Sequence, residues 1–292
     1  MTTTHVQDVF GDAIDRLSPQ LRRAARFLSR HPDLVAMYSL RDLAKRAGVA
    51  PASFVRLARA LGFPGYPELR REILGRILPD ASSYAAKAER LQAVDNPSGV
   101  YDQIFAAQRA NLEATRRANS ADVLRASAET LERARRVWIV GLRSLYPLAF
   151  YLRYVWSFFR GDLFLAASPS GTLDNALFAI ERGDAVIVMT MAPYTREAVV
   201  AAEIAAKAGA PVVAITDSDL SPLAAHADHL LITATDTPSF FHSLIAANAL
   251  VEALVAILAN RGGAKAVGAI RRTQNRLQAM HSYLEPVARK SP

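Results

Sequence analysis

The chain has 292 residues, long enough for two domains, and 51% of them are apolar, so its composition excludes a disordered protein. It has no cysteine, which removes disulfides and thiolate chemistry. Its net charge of +8 is concentrated at one end: up to Arg76, thirteen basic residues face seven acidic ones, an excess of +6 that implies an anionic partner for the N-terminal part.

The opening MTTTHVQDVFGDA carries no basic-then-apolar signal pattern, so a cytoplasmic location is expected. Val6 to Leu17 reads as a first amphipathic helix. Ser18 offers a hydroxyl cap to a second helix that runs from Pro19 through Leu28 and ends at His31-Pro32.

Ser39 to Phe63, SLRDLAKRAGVAPASFVRLARALGF, reads as two short helices around a tight turn. Ser39 is the N-cap of the first, and Leu40, Leu43, Ala44 and Ala47 form one apolar stripe. Gly48 follows where a left-handed residue ends the helix, and Val49 fills the space between the two helices. Pro51 suits the first turn of the second helix, whose apolar stripe is Phe54, Leu57, Ala58 and Leu61. An ordinary helical hairpin shares any one of these features. Their joint spacing, with basic flanks, points to a helix-turn-helix whose second helix enters the major groove of double-stranded DNA.

The exposed face of that second helix carries Pro51, Ala52, Val55, Arg56 and Arg59. Arg56 is the expected base contact, because a guanidinium can bond a guanine edge in a bidentate way. Pro51 and Ala52 offer only apolar contact, so DNA shape carries part of the specificity. Arg22, Arg41, Lys45 and Arg46, with Ser53 at the groove edge, are the expected phosphate contacts, a solvated basic face being the alternative for each lysine or arginine. A helix from Pro67 to Leu78 closes the bundle, and Tyr66 either reaches a phosphate or packs.

Pro79 to Ser83 and Asp95 to Gly99 read as turns around one short helix. Helices from Val100 to Ala118 and from Ala121 to Arg135, the latter capped by Ser120, follow. From Arg136 short apolar runs alternate with helical segments. The strands are Val137 to Val140, Leu163 to Ala166, Ala185 to Met189, Pro211 to Ile215 and His229 to Ile232. The helices are Tyr146 to Arg160, Leu173 to Glu181, Thr195 to Ala208 and a short one near Pro222. Such alternation predicts a five-stranded parallel sheet wrapped by helices, with ligands bound at the carboxyl ends of its strands. Phe240 to Leu258 is nearly all apolar, but His242, Asn248 and Glu252 interrupt it, and a core or subunit-interface helix is expected rather than a membrane span. A basic helix completes the chain from Gly262.

Over almost its whole length the chain resembles the RpiR/MurR family of transcriptional regulators, which join a helix-turn-helix domain to a sugar isomerase (SIS) domain. The resemblance lies in LSPQLRRAARFLSRHPDLV, the helix-turn-helix stretch, GYPELRREI, GLRS, GDAVIVMTM and AKAGAPVVAITDSDLSPLAAHADHLL. It implies a two-domain fold: an all-α helix-turn-helix bundle followed by an α/β SIS domain with a five-stranded parallel sheet. The expected divisions are 1–78, connecting helices over 79–135, the SIS domain over 136–262 and a C-terminal helix over 263–292. Two positions in the head depart from the family pattern: Ala50 stands where a serine cap is usual, at a cost of about 1 kcal/mol, and Phe54 replaces a smaller aliphatic residue.

In phosphosugar-binding members, serines and threonines after the first and third strands hold the phosphate, the latter in a loop reading SxSGxT. Here that loop is Thr190-Met191-Ala192-Pro193-Tyr194-Thr195, and its proline cannot donate the amide that glycine would supply. A different small anion or polar metabolite is the expected effector, with Arg143 replacing some of the lost donors. The expected ligand residues are Gly141, Arg143, Ser144, Ser168, Ser170, Thr190, Tyr194, Thr195 and His242. Ser168, Ser170 and Thr172 cap a helix, bind ligand or do both. Phe241 and His242 open the long apolar helix, where SIS dimers often complete the pocket from the neighbouring subunit; a satisfied core or interface histidine is the alternative for His242.

The resemblance implies a DNA-binding regulator that senses a small-molecule effector, works as a homodimer or homotetramer, and uses no cofactor. The alternative, a phosphosugar isomerase, needs a general base from among Glu197, His242 and Glu252. A nicotinamide enzyme is disfavoured because Gly141-Leu142-Arg143-Ser144 is not a GxGxxG turn, and His226 and His229 have no third metal ligand nearby.

Overall fold

The computed structural model describes residues 9–10, 14, 17–77, 84–93, 97–166 and 173–284. Most of the first expected helix lies outside them, although Val9, Phe10 and Ile14 are helical and Phe10 is buried in the head.

The N-terminal head is built from α1 (Pro19–Arg30), α2 (Pro32–Met37), α3 (Leu40–Ala47), α4 (Pro51–Ala60) and α5 (Tyr66–Ile77). Leu28, Leu43, Phe54, Leu57, Leu69 and Ile73 are fully buried where these helices meet. The turn between α3 and α4 follows local chemistry. Ser39 Oγ accepts a hydrogen bond from the Asp42 amide at 3.3 Å, and Gly48 ends α3 at φ 65°, a conformation costly for any residue with a Cβ. Ala50 stands at the N-cap of α4 with no side chain to bond there. Ser18 makes no side-chain cap to α1, contrary to expectation, and α2 is a helix the pattern did not announce. Tyr66 packs: its ring lies 5.8 Å from that of Phe54, and burial pushes its phenol up to about 12.

The connecting segment contains α6 (Tyr84–Gln92), α7 (Pro97–Ala118) and α8 (Ala121–Arg133). Pro97, Ser98 and Gly99 form the first turn of α7 rather than a linker, because proline is tolerated where an amide has no helical partner. Ser120 caps α8 through the Val123 amide at 3.2 Å.

The C-terminal domain is a five-stranded parallel sheet in the order β2-β1-β3-β4-β5. Its strands are β1 (Val137–Gly141), β2 (Leu163–Leu165), β3 (Ala185–Met189), β4 (Val212–Thr216) and β5 (His229–Ile232). Strand alternation sends Val137 and Ile139 to one face, where α8, α9 (Tyr146–Trp156) and α12 (Ile245–Arg261) cover them. Trp138 and Val140 face the other side, under α10 (Leu173–Phe178) and α11 (Arg196–Ala208). Near Pro222 the chain makes turns rather than a helix. Among the described residues no single helix is long and apolar enough to cross a membrane. The final α13 (Gly263–Ala279) breaks from α12 by 111°.

A strand at the edge of a sheet needs partners for its backbone, and β5 gets them from side chains of α7 and of Asn119 just past its end. The Asn119 amide donates to the Ile232 carbonyl at 2.6 Å and accepts from the Ile232 N–H at 2.9 Å, as a neighbouring strand would. One turn earlier Thr115 accepts from the Ala234 amide at 2.9 Å, and another turn back Asn111 donates to the Asp236 carbonyl at 2.6 Å. At the amino end of β3, buried Asp184 collects Arg136 at 2.7 Å, Arg135 at 3.2 Å and the Trp138 indole at 3.1 Å.

Candidate DNA-binding face and effector site

On the head, α3 and α4 leave Arg41, Lys45, Pro51, Ala52, Arg56 and Arg59 exposed together, with Val55 half-buried beside them. One expected phosphate contact, Ser53, is corrected. Ser53 is fully buried, so its hydroxyl lies inside the head rather than at a groove edge. Its i, i+3 neighbour Arg56 lies 3.5 Å from that hydroxyl. Arg22 donates to the carbonyls of Ile14 at 3.2 Å and Leu17 at 3.1 Å, tying down the segment before α1. Arg23, Arg26 and Arg30 were not singled out from the sequence, yet they line a basic cleft on α1 with Arg46. The signal was present as their i, i+3 and i+4 spacing, but it reads equally as a solvated helix face.

Arg46 has a second engagement. Its guanidinium lies 4.0 Å over the Tyr38 ring and 3.6 Å from the Glu203 carboxylate, which belongs to α11 of the other domain. Tyr38 donates its hydroxyl to the same carboxylate at 3.0 Å. The Lys207 ammonium, 2.8 Å away, holds Glu203 below the usual carboxylate range against the opposing effect of burial, and Tyr38 and Arg46 add to it. Leu220, in the loop after β4, packs against the apolar core of the head.

The second site lies at the carboxyl ends of β1, β3 and β4. In this strand order the connections run in opposite directions from β1 and β3, which opens a crevice there. Gly141 is buried at the end of β1. A Cβ on it would lie 2.6 Å from Ala149 Cβ and 2.7 Å from the Leu145 carbonyl oxygen, so close packing requires glycine here. Arg143 follows, exposed and in a left-handed conformation at φ 55°, a strain of about 1 kcal/mol for a residue with a side chain.

Ser144 and His242, 98 residues apart in sequence, meet with Ser144 Oγ 3.4 Å from His242 Nε2. His242 Nδ1 is buried with no hydrogen-bond partner among the described residues. Burial holds the imidazole below its ordinary pKa, Asp217 opposes that shift and Lys87 reinforces it. Phe241 and His242 precede α12 instead of opening it.

The loop after β3 closes on itself. Thr190 is buried and its hydroxyl accepts from the Thr195 amide at 2.9 Å; the Ala192 amide donates to Asp217 at 3.0 Å; and Pro193, after a cis peptide bond, has no N–H to offer. The Tyr194 phenol is pushed up by burial and by the Asp217 carboxylate to which it hydrogen-bonds. The Thr190 hydroxyl and the Ala192 and Thr195 amides of this loop are thus committed within the protein, while the Thr195 hydroxyl makes no cap bond to α11. Ser168, Ser170 and Thr172 lie outside the described residues. Of the three general-base candidates, His242 lies in the crevice. Glu197 is exposed on the first turn of α11, and Glu252 bonds Tyr151 at 3.2 Å and Asn248 at 2.9 Å.

A helix-turn-helix head joined to a doubly wound domain with a strand-end crevice defines a two-domain DNA-binding protein with a ligand-binding fold. Residues 9–78 match the rpiR-family helix-turn-helix domain and residues 130–257 match the SIS domain. The chain belongs to the RpiR family of transcriptional regulators. It is 26% identical over 212 residues to the transcriptional regulator HexR of Pseudomonas aeruginosa, covering 72% of each chain. The sugar isomerase domain of an RpiR transcription factor from Sphaerobacter thermophilus superposes with TM-score 0.58 at 28% identity, over 60% of this chain and 98% of that one. The Vibrio vulnificus NanR protein complexed with ManNAc-6P shares the fold over 97% of this chain and all of its own, with TM-score 0.60 and 20% identity.

Proposed function

We propose that this chain is a sequence-specific DNA-binding regulator whose SIS domain senses a small anionic or polar metabolite in the cytoplasm, acts as a homodimer or homotetramer, and does not turn its ligand over. The observation that carries the reading is the pair of direct routes from crevice to head. Thr195 leads into α11, which presents Glu203 to Tyr38 and Arg46, and the Asp217 loop ends in Leu220 against the head's core. A ligand that alters either loop biases where the heads sit.

Regulation then needs an effector that binds one head arrangement better than the other, with a coupling of about 1–3 kcal/mol. One helix-turn-helix covers one half-site, so paired heads spaced about 34–36 Å apart, or a multiple, are required. Arg56 reads a base edge, while Arg41, Lys45 and Arg59 hold phosphates beside it. The sugar phosphate in the NanR complex makes hexosamine and hexose 6-phosphates rational first probes.

The test is a fluorescence-anisotropy titration of the full chain against the DNA upstream of its own reading frame, at several salt concentrations and with each probe. Binding whose logarithm falls linearly with the logarithm of salt, and which one probe shifts, is the expected result. Absence of salt-dependent DNA binding refutes the reading, and turnover of a sugar phosphate lost in Glu197→Gln would replace it with an isomerase.

A further inference from the structure

Two amides and one hydroxyl of the loop after β3 are engaged within the protein, and the crevice beside it contains a buried imidazole nitrogen without a partner among the described residues. The groups that face this crevice come from an unexpected element. Tyr84, at the start of α6, stacks on Phe241 with ring centroids 5.1 Å apart and planes at 20°, and Phe241 lies 4.3 Å from the His242 ring. Lys87 is one helical turn after Tyr84, so it sits on the same face of α6 as the ring that stacks on Phe241. It is half-buried and acts electrostatically on His242.

We propose that α6, in the segment between the two domains, forms a wall of the effector site, and that its Lys87, with Ser144 and His242, holds the anionic group of the ligand in place of the loop after β3. The proposal rests on the effector-sensing reading above and adds the ligand's charge, the residues that meet it and its position in the crevice. A Lys ammonium is a compact point charge with three donors, suited to a phosphate or carboxylate without the preorganised amides of a glycine-rich loop. Among the described residues Asp217 is the carboxylate that acts on His242, and it is occupied by the Ala192 amide at 3.0 Å and the Thr216 hydroxyl at 3.3 Å. The arrangement also makes a chemical prediction about coupling. A ligand held by α6 stiffens the segment between the domains directly, in addition to the routes through α11 and Leu220.

Phosphorus NMR and calorimetric titrations of the full chain with inorganic phosphate and glucose 6-phosphate test this. Lys87→Met is expected to weaken binding about tenfold or more, the loss of one charge-assisted contact, while Lys87→Arg retains most of it and Thr195→Ala changes it little. Lys265→Met, on an exposed face of α13, controls for net charge, and unliganded melting temperatures control for folding. If Thr195→Ala abolishes binding and Lys87→Met does not, the anion sits at the loop after β3 and the proposal falls while effector sensing stands. If neither anion binds but a neutral sugar raises the melting temperature, the proposal likewise falls alone. If no probe binds and DNA affinity responds to none, both readings fall.

Discussion

Replacing Glu203 by glutamine removes the charge that α11 presents to the head while keeping its shape. In the structure that carboxylate accepts the Tyr38 hydroxyl at 3.0 Å and lies 3.6 Å from Arg46. A hydrogen bond to a charged acceptor contributes about 1.5–3 kcal/mol, against about 1 kcal/mol for the neutral bond that glutamine retains. The ion pair adds at most about 1 kcal/mol, because the Arg46 side chain is 40% exposed and well screened. The contact therefore weakens by about 1–2 kcal/mol in Glu203→Gln. If it restrains the head in an arrangement unfit for DNA, and holds Arg46 away from phosphate, release raises operator affinity by about 5–30-fold in the absence of effector. The variant's response to effector shrinks by a comparable factor. Anisotropy with a fluorescent operator at constant salt measures both. An affinity unchanged or lowered in Glu203→Gln, in a protein with wild-type melting behaviour, refutes the argument, because the contact would then support the DNA-binding arrangement or have no bearing on it. Arg46→Ala provides an independent check: it loses the restraint and a phosphate contact together, so the slope of log affinity against log salt falls by about 1 even where affinity itself changes little.

Gly141→Ala places a methyl group 2.6 Å from Ala149 Cβ and 2.7 Å from a backbone oxygen; a cost of about 1–3 kcal/mol is expected, read as a lowered thermal midpoint of the C-terminal domain. Ala50→Ser restores an N-cap to α4, and a gain of about 1 kcal/mol in chemical denaturation of the head is expected provided the serine reaches the second or third amide. Burial pushes the Asp184 carboxyl up, but hydrogen bonds from Arg136, Trp138, the Glu181 amide and Arg135 outweigh it and hold the group at about 2, below its ordinary 3.8. A depressed carboxylate stabilises the fold fully above its unfolded value and loses that contribution as pH falls through the folded one. About 2 kcal/mol should therefore disappear between about pH 4 and pH 2, and urea midpoints of wild type and Asp184→Asn should converge over that window.

Much of the scaffold is legible because its determinants are local. The apolar runs Ala185–Met189 and His229–Ile232 coincide with strands β3 and β5 at both ends, and Ser39 and Gly48 bound α3 as their chemistry requires. A cap, a left-handed turn or a run of buried residues involves neighbours a few positions away, so the sequence carries it directly. The parallel pairing of the strands is legible as well, since a parallel sheet needs helical crossovers and the apolar runs alternate with helices, whereas their order is seen only in the structure.

What a polar side chain does was settled by residues far away along the chain. Nothing in the sequence around Thr115 and Asn119 marks them as partners for the β5 edge; Ile232, which Asn119 bonds, is 113 residues on. Ser53 has the composition of a phosphate-binding face and the surroundings of a core. Tyr38 meets Glu203 across 165 residues, and α6 reaches the crevice through a single aromatic stack. None of these contacts leaves a period or a spacing, because a hydrogen bond between distant segments imposes no pattern on the residues next to either partner. The sequence by itself therefore determined most of the elements, the parallel sheet and the basic character of the head. Only the packing of domain on domain decided which charges remain open to DNA and ligand, since burying a charge requires a partner and tertiary structure alone brings partners together.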